Sequence, residues 1–357
     1  MPTLFDPITL GDIALPNRIV MAPLTRCRAD DGRVPNDLMR EYYVQRATAG
    51  LILTEATAVT PMGVGYPDTP GIWSDEQVAG WRRITDAVHD AGGRIVLQLW
   101  HVGRISHPYY LNGELPVSAS DVAPLGKVRV ANREQADYVA PRALTIEEIP
   151  SVIEAYRQGA LNAKEAGFDG VEIHGANGYL PDQFLRDGTN RRTDKYGGSL
   201  ENRARFLLEA TDAAISVWGA SRVGVHLSPR NMDGSGAIDS DPATTYNYVA
   251  EQLGKRGIAF LFTREGHGGE VRYTPGMKAR FGGPVIVNES YTPEQAQTVL
   301  DAGEADAVSW GKQFIANPDL PERLKRGGPF NEPNPATFYA PGAEGYTDYP
   351  FLKAEEK

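Results

Sequence analysis

Polar and titratable side chains follow most of the short apolar runs in this sequence. His174, Asn177 and Tyr179 come at the end of one such run, and His226 lies in the next. Towards the end of the chain, the segments 288–290 (Asn-Glu-Ser) and 309–312 (Ser-Trp-Gly-Lys) each come at the end of an apolar run. Backbone N–H groups in loops of this kind bind phosphate, and a lysine beside a glycine adds positive charge. The pattern therefore predicts a phosphorylated ligand or cofactor close to a group of polar side chains.

Acidic side chains at these positions are few. A glycosidase needs two carboxylates that face each other across the sugar, and only Glu55 and Glu265 offer such a pair. Glu172 lies two residues before His174 and shares its face of the strand, but deeper. A buried carboxylate needs a partner, so we expect Glu172 to be a core residue satisfied by a neighbouring Arg or Lys.

Four histidines raise the alternative of a metal site. His101, His107, His174 and His226 have no close helical spacing, and no acidic ligands accompany them. Metal centres usually combine such ligands at short spacings. The sequence therefore predicts no metal site, and for His101 we expect a structural role.

These residues require a scaffold that brings many strand ends together. Eight brief runs rich in Val, Ile and Leu have the character of strands covered on both faces. The predicted strands are Arg18–Met21, Leu51–Glu55, Arg94–Leu99, Gly170–His174, Val223–Leu227, Ile258–Phe262, Pro284–Val287 and Ala307–Trp310.

Amphipathic stretches alternate with these strands, and several end at a glycine, such as Gly167 or Gly257. This alternation predicts an α/β fold, a closed (β/α)8 TIM barrel. An open sheet would need a glycine fingerprint after its first strand, and residues 22–26 contain no glycine. The predicted helices are Leu38–Ala49, Gln77–Ala91, Ile149–Ala166, Leu200–Trp218, Thr244–Arg256 and the shorter Pro293–Ala302.

Two connections are longer than a bare barrel needs. The segment 106–144, after the third strand, is rich in Pro, Gly and alternating Val, and we expect a hairpin-like excursion that caps one rim. The segment 266–283 has only a weak helical pattern. We expect residues 1–357 to form a single domain that ends in a C-terminal tail, 340–357.

Composition narrows the classes of function. The chain has 357 residues and a formal charge of −10, and an acidic surface disfavours nucleic-acid binding. Cys27 is the only cysteine, so no intramolecular disulfide is possible. The first residues do not have the pattern of a signal peptide, and no apolar run approaches the roughly 18 residues of a membrane helix. We expect a cytoplasmic protein that is a monomer or a homodimer.

Motifs along nearly the whole chain resemble the old yellow enzyme family of flavin-dependent ene-reductases, most closely its bacterial xenobiotic and nitrate-ester reductases. A single fragment is weak evidence, whereas so many in order are specific. The motifs include residues 4–7 (LFDP), 17–19 (NRI), 21–26 (MAPLTR), 41–43 (EYY), 98–101 (QLWH), 166–174 (AGFDGVEIH), 177–180 (NGYL), 196–199 (YGGS), 314–320 (FIANPDL) and 345–350 (GYTDYP).

The resemblance implies noncovalent FMN and a hydride donor, NADPH or NADH. Thr25 would bond near the flavin O4 and so tune its potential, and Gln98 would present its amide to the pyrimidine edge. Backbone groups of the two late loops would hold the phosphate. The implied cofactor-binding residues are Pro23, Leu24, Thr25, Ala56, Gln98, His226, Glu289, Ser290, Gly311 and Lys312.

The resemblance also implies how substrates are reduced. His174 and Asn177 would donate to one carbonyl or nitro oxygen and stabilise the charge that develops as hydride arrives from flavin N5. Tyr179 would then protonate the α-carbon. Tyr66, Trp100 and Tyr339 would form aromatic walls. Enones, maleimides, nitroalkenes, nitrate esters and nitroaromatics are all implied substrates.

Two positions depart from the family pattern. His226 stands where many members have Arg, and a histidine is only sometimes charged near neutrality, so we expect a pH-dependent flavin potential. Lys312 also stands where Arg is common, which replaces a bidentate fork by a point charge. Cys27 lies two residues beyond Thr25, and we expect it to be structural.

Two other functions stay open on the sequence alone. A barrel lyase or isomerase would use the phosphate loops for its substrate, but would want a lysine or a carboxylate base at a strand end. Lys312 is the only strand-end lysine that the pattern offers. A non-catalytic flavin-binding barrel would leave His174, Asn177 and Tyr179 without a task.

Overall fold

A computed structural model describes residues 1–130, 133–231, 235–269 and 271–353. Eight parallel strands form a closed ring, because the last strand pairs with the first in parallel register, Val308 opposite Ile19. The predicted (β/α)8 barrel is confirmed. Its strands are β3 (Ile19–Met21), β4 (Leu51–Leu53), β6 (Ile95–Trp100), β11 (Gly170–His174), β12 (Val223–Leu227), β13 (Phe260–Arg264), β14 (Val285–Asn288) and β15 (Ala307–Trp310).

Side chains alternate between the inside and the outside of the ring. One buried apolar cluster fills the lower interior and includes Val20, Leu53, Val96, Phe260 and Ile286. The hairpin of β1 (Ile8–Leu10) and β2 (Ile13–Leu15) packs on the same cluster and so covers the amino-terminal end of the barrel. The carboxyl ends of the strands are left for polar groups.

Helices join successive strands on the outside, and several begin with a side-chain cap. The Ser74 and Thr292 side chains both form capping boxes, with Gln77 and Gln295 respectively. The helices are α1 (Asp37–Val44), α2 (Asp75–Asp90), α3 (Ile149–Glu165), α4 (Leu180–Leu185), α5 (Leu200–Trp218), α6 (Pro242–Arg256), α7 (Thr274–Phe281), α8 (Pro293–Asp301), α9 (Lys312–Ala316) and α10 (Leu320–Arg326).

The segment 106–144 contains two small strand pairs. β8 (Lys127–Arg129) and β9 (Gln135–Asp137) are antiparallel, and β7 (Val117–Ser118) pairs in parallel with β10 (Arg142–Ala143). A further short strand, β5 (Thr57–Ala58), pairs with the end of β6. The C-terminal segment packs on the barrel, where the Tyr346 ring is fully buried and stacks on Tyr42 at 4.0 Å.

Some predicted boundaries were wrong. α1 ends at Val44 rather than Ala49, because residues 46–49 continue in tighter i→i−3 turns. The Arg46 guanidinium holds this turn by donating to the carbonyls of Tyr42, Phe314 and Ile315. The sixth barrel strand runs from Phe260 to Arg264, two residues later than predicted. The short helices α4, α9 and α10 were not predicted.

Candidate active site

A cavity of about 700 Å³ opens at the carboxyl end of the barrel. It gathers residues from the loops after the first, fourth, seventh and eighth strands, although they are far apart in sequence. Ten of the residues singled out from the sequence line it: Pro23, Leu24, Thr25, Asn177, His226, Glu289, Ser290, Gly311, Lys312 and Tyr339.

His174 lies directly beside this cavity, since its ring stacks on the ring of His226 at 5.1 Å and 3°. The two histidines are register partners on β11 and β12. Both are almost fully buried, and His174 Nδ1 and His226 Nε2 have no hydrogen-bond partner among the described residues. Buried polar atoms in this condition mark a place where a ligand or water completes the bonding.

Gln98 connects His226 to the buried Glu172. Its Nε2 donates to Glu172 Oε2 at 2.7 Å and to His226 Nδ1 at 3.0 Å. Because Nδ1 accepts in this arrangement, the proton of the neutral imidazole lies on Nε2. The expectation that an Arg or Lys satisfies Glu172 was wrong. The residues opposite it in the sheet are Gln98 and Gly224, neither of them cationic.

Burial determines the charge of this cluster. Burial, with a smaller contribution from nearby Arg264, lowers the pKa of His174 to about 3. It also lowers the pKa of His226 well below the usual value, with smaller contributions from His174 and Arg264. His226 is therefore neutral near pH 7. The expected pH-dependent flavin potential assumed instead that His226 changes its charge near this pH. Burial instead raises the pKa of Glu172 to about 8.

Tyr179 forms one side of an aromatic group with Tyr66 and Trp100. The hydroxyls of Tyr179 and Tyr66 are 2.9 Å apart, and Trp100 contacts both rings at 5.1 and 5.4 Å. Ala56 packs in the same small cluster. The Tyr179 ring lies 4.9 Å from His174. Burial raises the pKa of Tyr179, so its hydroxyl keeps its proton.

Arg264 is a site residue that sequence analysis missed. Its Nη1 donates to Asn177 Oδ1 at 3.0 Å, and its Nε pairs with the Glu289 carboxylate. A guanidinium only donates, so the Asn177 amide must turn its oxygen to Arg264 and its Nδ2 away. The predicted strand ended at Phe262, but the alternation Phe260, Phe262, Arg264 could have indicated this inward side chain.

The loop after β14 has the backbone geometry of an anion site. Glu289 and Ser290 have φ of 103° and 59°, in the left-handed region that non-glycine residues rarely adopt. Turns of this kind direct N–H groups to one side and bind anions. On the loop after the neighbouring strand β15, a Cβ on Gly311 would come within 3.0 Å of the Leu24 side chain. The unpartnered histidine nitrogens and this phosphate-type loop therefore fit FMN.

Glu265, Glu55, His101 and Cys27, also singled out from the sequence, have surroundings that indicate a structural role. Glu265 accepts from the backbone N–H groups of Tyr273 and Thr274, and Glu55 accepts from Arg26 N and the Tyr43 hydroxyl. His101 is buried, and its Nδ1 accepts from Gly103 N at 3.0 Å. Burial raises the pKa of the Cys27 thiol to about 12, which disfavours the reactive thiolate.

Solved structures with the same fold cover essentially the whole chain. Morphinone reductase in complex with tetrahydroNAD is 48% identical, has a TM-score of 0.95 and covers 100% of this chain and 99% of its own. The old yellow enzyme homologue from Zymomonas mobilis is 45% identical with a TM-score of 0.95, over 98% of this chain and 100% of its own.

Curated proteins of similar sequence also match nearly the whole chain. 12-Oxophytodienoate reductase 7 of Oryza sativa subsp. japonica is 44% identical over 98% of this chain and 94% of its own length. A protein from Leishmania infantum, described as a probable flavin mononucleotide-dependent alkene reductase, is 44% identical over 98% of this chain and 97% of its own.

The barrel and the site define the class of the protein as a flavin-dependent oxidoreductase, with FMN as its cofactor and a reduced nicotinamide as its hydride donor. Residues 3–331 match the model of the NADH:flavin oxidoreductase / NADH oxidase family. The chain belongs to this family. No helix in the described part of the chain is long and apolar enough to cross a membrane.

Proposed function

We propose that the protein reduces the C=C bond of activated alkenes such as enones, maleimides and nitroalkenes. The observation that carries the proposal is the contact of His174 and Tyr179, 4.9 Å between rings, beside the cavity that Asn177 lines. A pair of hydrogen-bond donors and a protonated phenol at one place suit the polarisation and protonation of such a substrate.

FMN would be held by two groups of residues at opposite parts of the cavity. Backbone N–H groups of Glu289, Ser290, Gly311 and Lys312 would bind its phosphate, with the Lys312 charge added. His226 and Gln98 would bond the polar edge of its ring, and Thr25, Pro23, Leu24 and Ala56 would line it. When bound, FMN supplies the hydride that the nicotinamide has delivered.

His174 and Asn177 would bind the oxygen of the substrate. Neutral His174 donates one N–H, and the Arg264 contact leaves the Asn177 Nδ2 free to donate the second. Two fixed donors stabilise the negative charge that develops on this oxygen. Glu289 holds Arg264 and so contributes to the orientation of the Asn177 amide.

Tyr179 would donate the proton that completes the reduction. Its hydroxyl is protonated and hydrogen-bonded to the Tyr66 hydroxyl at 2.9 Å. A phenol is acidic enough towards an enolate-like carbon, which is far more basic. Tyr66, Trp100 and Tyr339 would shape the space for the substrate. Nitrate esters and nitroaromatics present a similar oxygen to the same donors and belong to the proposed range.

The cellular setting is proposed from composition. A single buried cysteine and an acidic surface suit a cytoplasmic enzyme that does not bind nucleic acid, as a monomer or a homodimer.

An anaerobic absorbance experiment tests the proposed function. The purified protein should show a flavin spectrum that bleaches on addition of NADPH and recovers on addition of cyclohex-2-enone. A protein that bleaches but never recovers would retain the flavin assignment and contradict alkene reduction. A colourless protein that takes up no FMN would contradict both and favour a lyase that binds a phosphorylated substrate.

A further inference from the structure

Arg264 ends strand β13, between the two parts of the site that are proposed to hold FMN. Its strand pairs on one side with β12, which carries His226, and on the other with β14, where Asn288 is the register partner of Arg264. The Arg264 side chain lines the main cavity and is 39% exposed. This guanidinium is therefore placed between the residues proposed for the ring of FMN and those proposed for its phosphate.

The hydrogen bonds of Arg264 leave one of its nitrogens free. Nη1 donates to Asn177 Oδ1 at 3.0 Å and Nε pairs with the Glu289 carboxylate, whereas Nη2 has no bonding partner in the described part of the chain. A guanidinium only donates and keeps its charge in a protein. Two bonds thus fix the orientation of this cation, and Nη2 can still donate to a ligand in the cavity.

Few charged side chains line this cavity. Among the described residues of the lining, Arg264 and Lys312 are the only Lys or Arg, and Glu289 is the only carboxylate. Lys312 begins α9 after β15, at the phosphate end, and Arg264 lies two strands away on β13. Because His226 is neutral near pH 7, the positive charge closest to the ring end comes from Arg264.

The charge of Arg264 acts on the residues at the ring end of the site. Burial is the main cause of the lowered pKa of His174 and of His226, and the Arg264 charge contributes to both. Charges interact strongly in buried surroundings because the local dielectric constant is low. A negative charge that forms beside these two histidines is therefore stabilised by the same guanidinium.

Reduction of FMN creates such a charge. A hydride brings two electrons and one proton to the neutral oxidised ring, so the reduced ring carries one negative charge, which lies on its pyrimidine part. His226 and Gln98 are the side chains proposed to bond this polar edge, and both are neutral. Charge placed near this part of a flavin tunes its reduction potential.

We propose that Arg264 supplies the positive charge that stabilises the anionic reduced flavin and so sets its reduction potential. The proposal rests on the proposed placement of FMN, with its ring at His226 and its phosphate at the two late loops. At position 226, where many family members have Arg, this chain has a neutral histidine, and the cation comes from the neighbouring strand instead. Glu289 pairs with Arg264 and offsets part of its charge.

Reduction potentials of the holoenzyme, measured anaerobically at pH 7 against redox dyes, test this role without alkene or coenzyme. Arg264→Gln should make the two-electron reduction less favourable by roughly tenfold or more, which lowers the potential by about 30 mV for each factor of ten. Arg264→Lys keeps the charge and should recover most of this loss. Glu289→Gln removes the offsetting carboxylate and should raise the potential.

Lys312→Gln is the matched control, because it removes the same charge from the same cavity at the phosphate end. It should weaken the retention of oxidised and reduced FMN alike when the holoenzyme is diluted. It should change the reduction equilibrium by less than about threefold, since the interaction between charges falls with distance.

Four results would overturn the proposal: an unchanged potential in Arg264→Gln, an equal loss in Arg264→Lys, an equal loss in Lys312→Gln, or a lowered potential in Glu289→Gln. An Arg264→Gln protein that releases oxidised and reduced FMN equally would assign Arg264 to cofactor binding alone and reject the proposal as well. Failure of the proposed function is distinguishable, because a wild-type holoenzyme that does not reduce cyclohex-2-enone would still show these differences in potential.

Discussion

Tyr179 and Tyr66 present two phenols to one site, yet only Tyr179 also contacts His174. We predict that Tyr179→Phe slows flavin reoxidation by cyclohex-2-enone by about 10²- to 10⁴-fold, the usual contribution of a general acid. Bleaching by NADPH should be unchanged. Stopped-flow measurement of the two half-reactions checks this.

Tyr66→Phe is the matched control for Tyr179, since it also removes one hydroxyl and keeps the ring. It should slow reoxidation far less. Equal losses in the two variants would show that the hydroxyl pair acts as a unit, and an undiminished rate in Tyr179→Phe would exclude it as the proton donor.

Glu172 should make stability depend on pH. Its pKa is raised to about 8 by burial, against an ordinary value of 4.5, so the folded protein binds more protons than the unfolded chain between these values. The stabilisation is complete below about pH 4.5 and is lost as pH rises towards 8, by at most about 1.4 kcal/mol per pH unit. We predict that Glu172→Gln loses less thermal stability than the wild type between pH 6 and 9.

Melting curves of the two holoenzymes at several pH values measure this difference. Glu55, whose pKa burial raises to about 7, is present in both proteins and does not contribute to the comparison. Parallel curves for the two proteins would show that Glu172 is ionised throughout this range.

The site residues could be predicted from sequence where they follow a strand end directly, as His174 and Asn177 do. Arg264 was missed because the predicted strand ended at Phe262, although the alternation of inward side chains in this strand extends to Arg264. The neutrality of His226 could not be predicted from the sequence, since its burial and its hydrogen bond with Gln98 arise only in the closed barrel. Charge states depend on surroundings that a linear sequence does not contain.

At the scale of the strands, Gly224 makes room for a neighbour inside the barrel. A Cβ at this position would lie 2.2 Å from the Phe260 ring on the adjacent strand. We predict that Gly224→Ala lowers the free energy of unfolding by about 1–3 kcal/mol, the usual cost of overpacking. Denaturant unfolding measures it.

A second substitution checks the cause. Adding Phe260→Leu to Gly224→Ala removes the ring that the new methyl group meets, so the double variant should cost less than the sum of the single changes. Additive losses would mean that Gly224 is required for another reason.

Strand and helix order could be predicted because buried parallel strands are short, apolar and regularly separated by helices. The exact helix ends could not, as α1 shows. There the Arg46 guanidinium binds carbonyls from the far end of the chain, and that contact tightens the turn. A local sequence pattern cannot indicate that Arg46 binds a carbonyl more than 260 residues away.

At the scale of the whole molecule, the C-terminal segment supports the loop that carries Thr25. Tyr346 is fully buried against Tyr42, and the Arg26 and Arg28 guanidinium groups lie 4.9 and 4.3 Å from its ring centre. We predict that Tyr346→Ala lowers the free energy of unfolding by about 3–5 kcal/mol, as for other buried aromatic residues. It should also weaken FMN retention, because Arg26 adjoins Thr25.

Melting temperature and the FMN released on dialysis measure the two effects. Tyr349, a partly exposed tyrosine of the same segment, provides the control in Tyr349→Ala. A loss of stability without any loss of FMN would show that the segment supports the barrel but not the cofactor loop.

The pairing of β15 with β3 also has a consequence for biosynthesis. Arg18 donates to the carbonyl of Asp306, 288 residues later. During synthesis, the first barrel strand therefore cannot pair with the last strand until the last strand has been translated. Until then the nascent chain carries an open sheet edge, which other polypeptides can join. A message that ends just before codon 307 would therefore yield seven barrel strands with open edges, which are prone to aggregate rather than to act as a weaker enzyme.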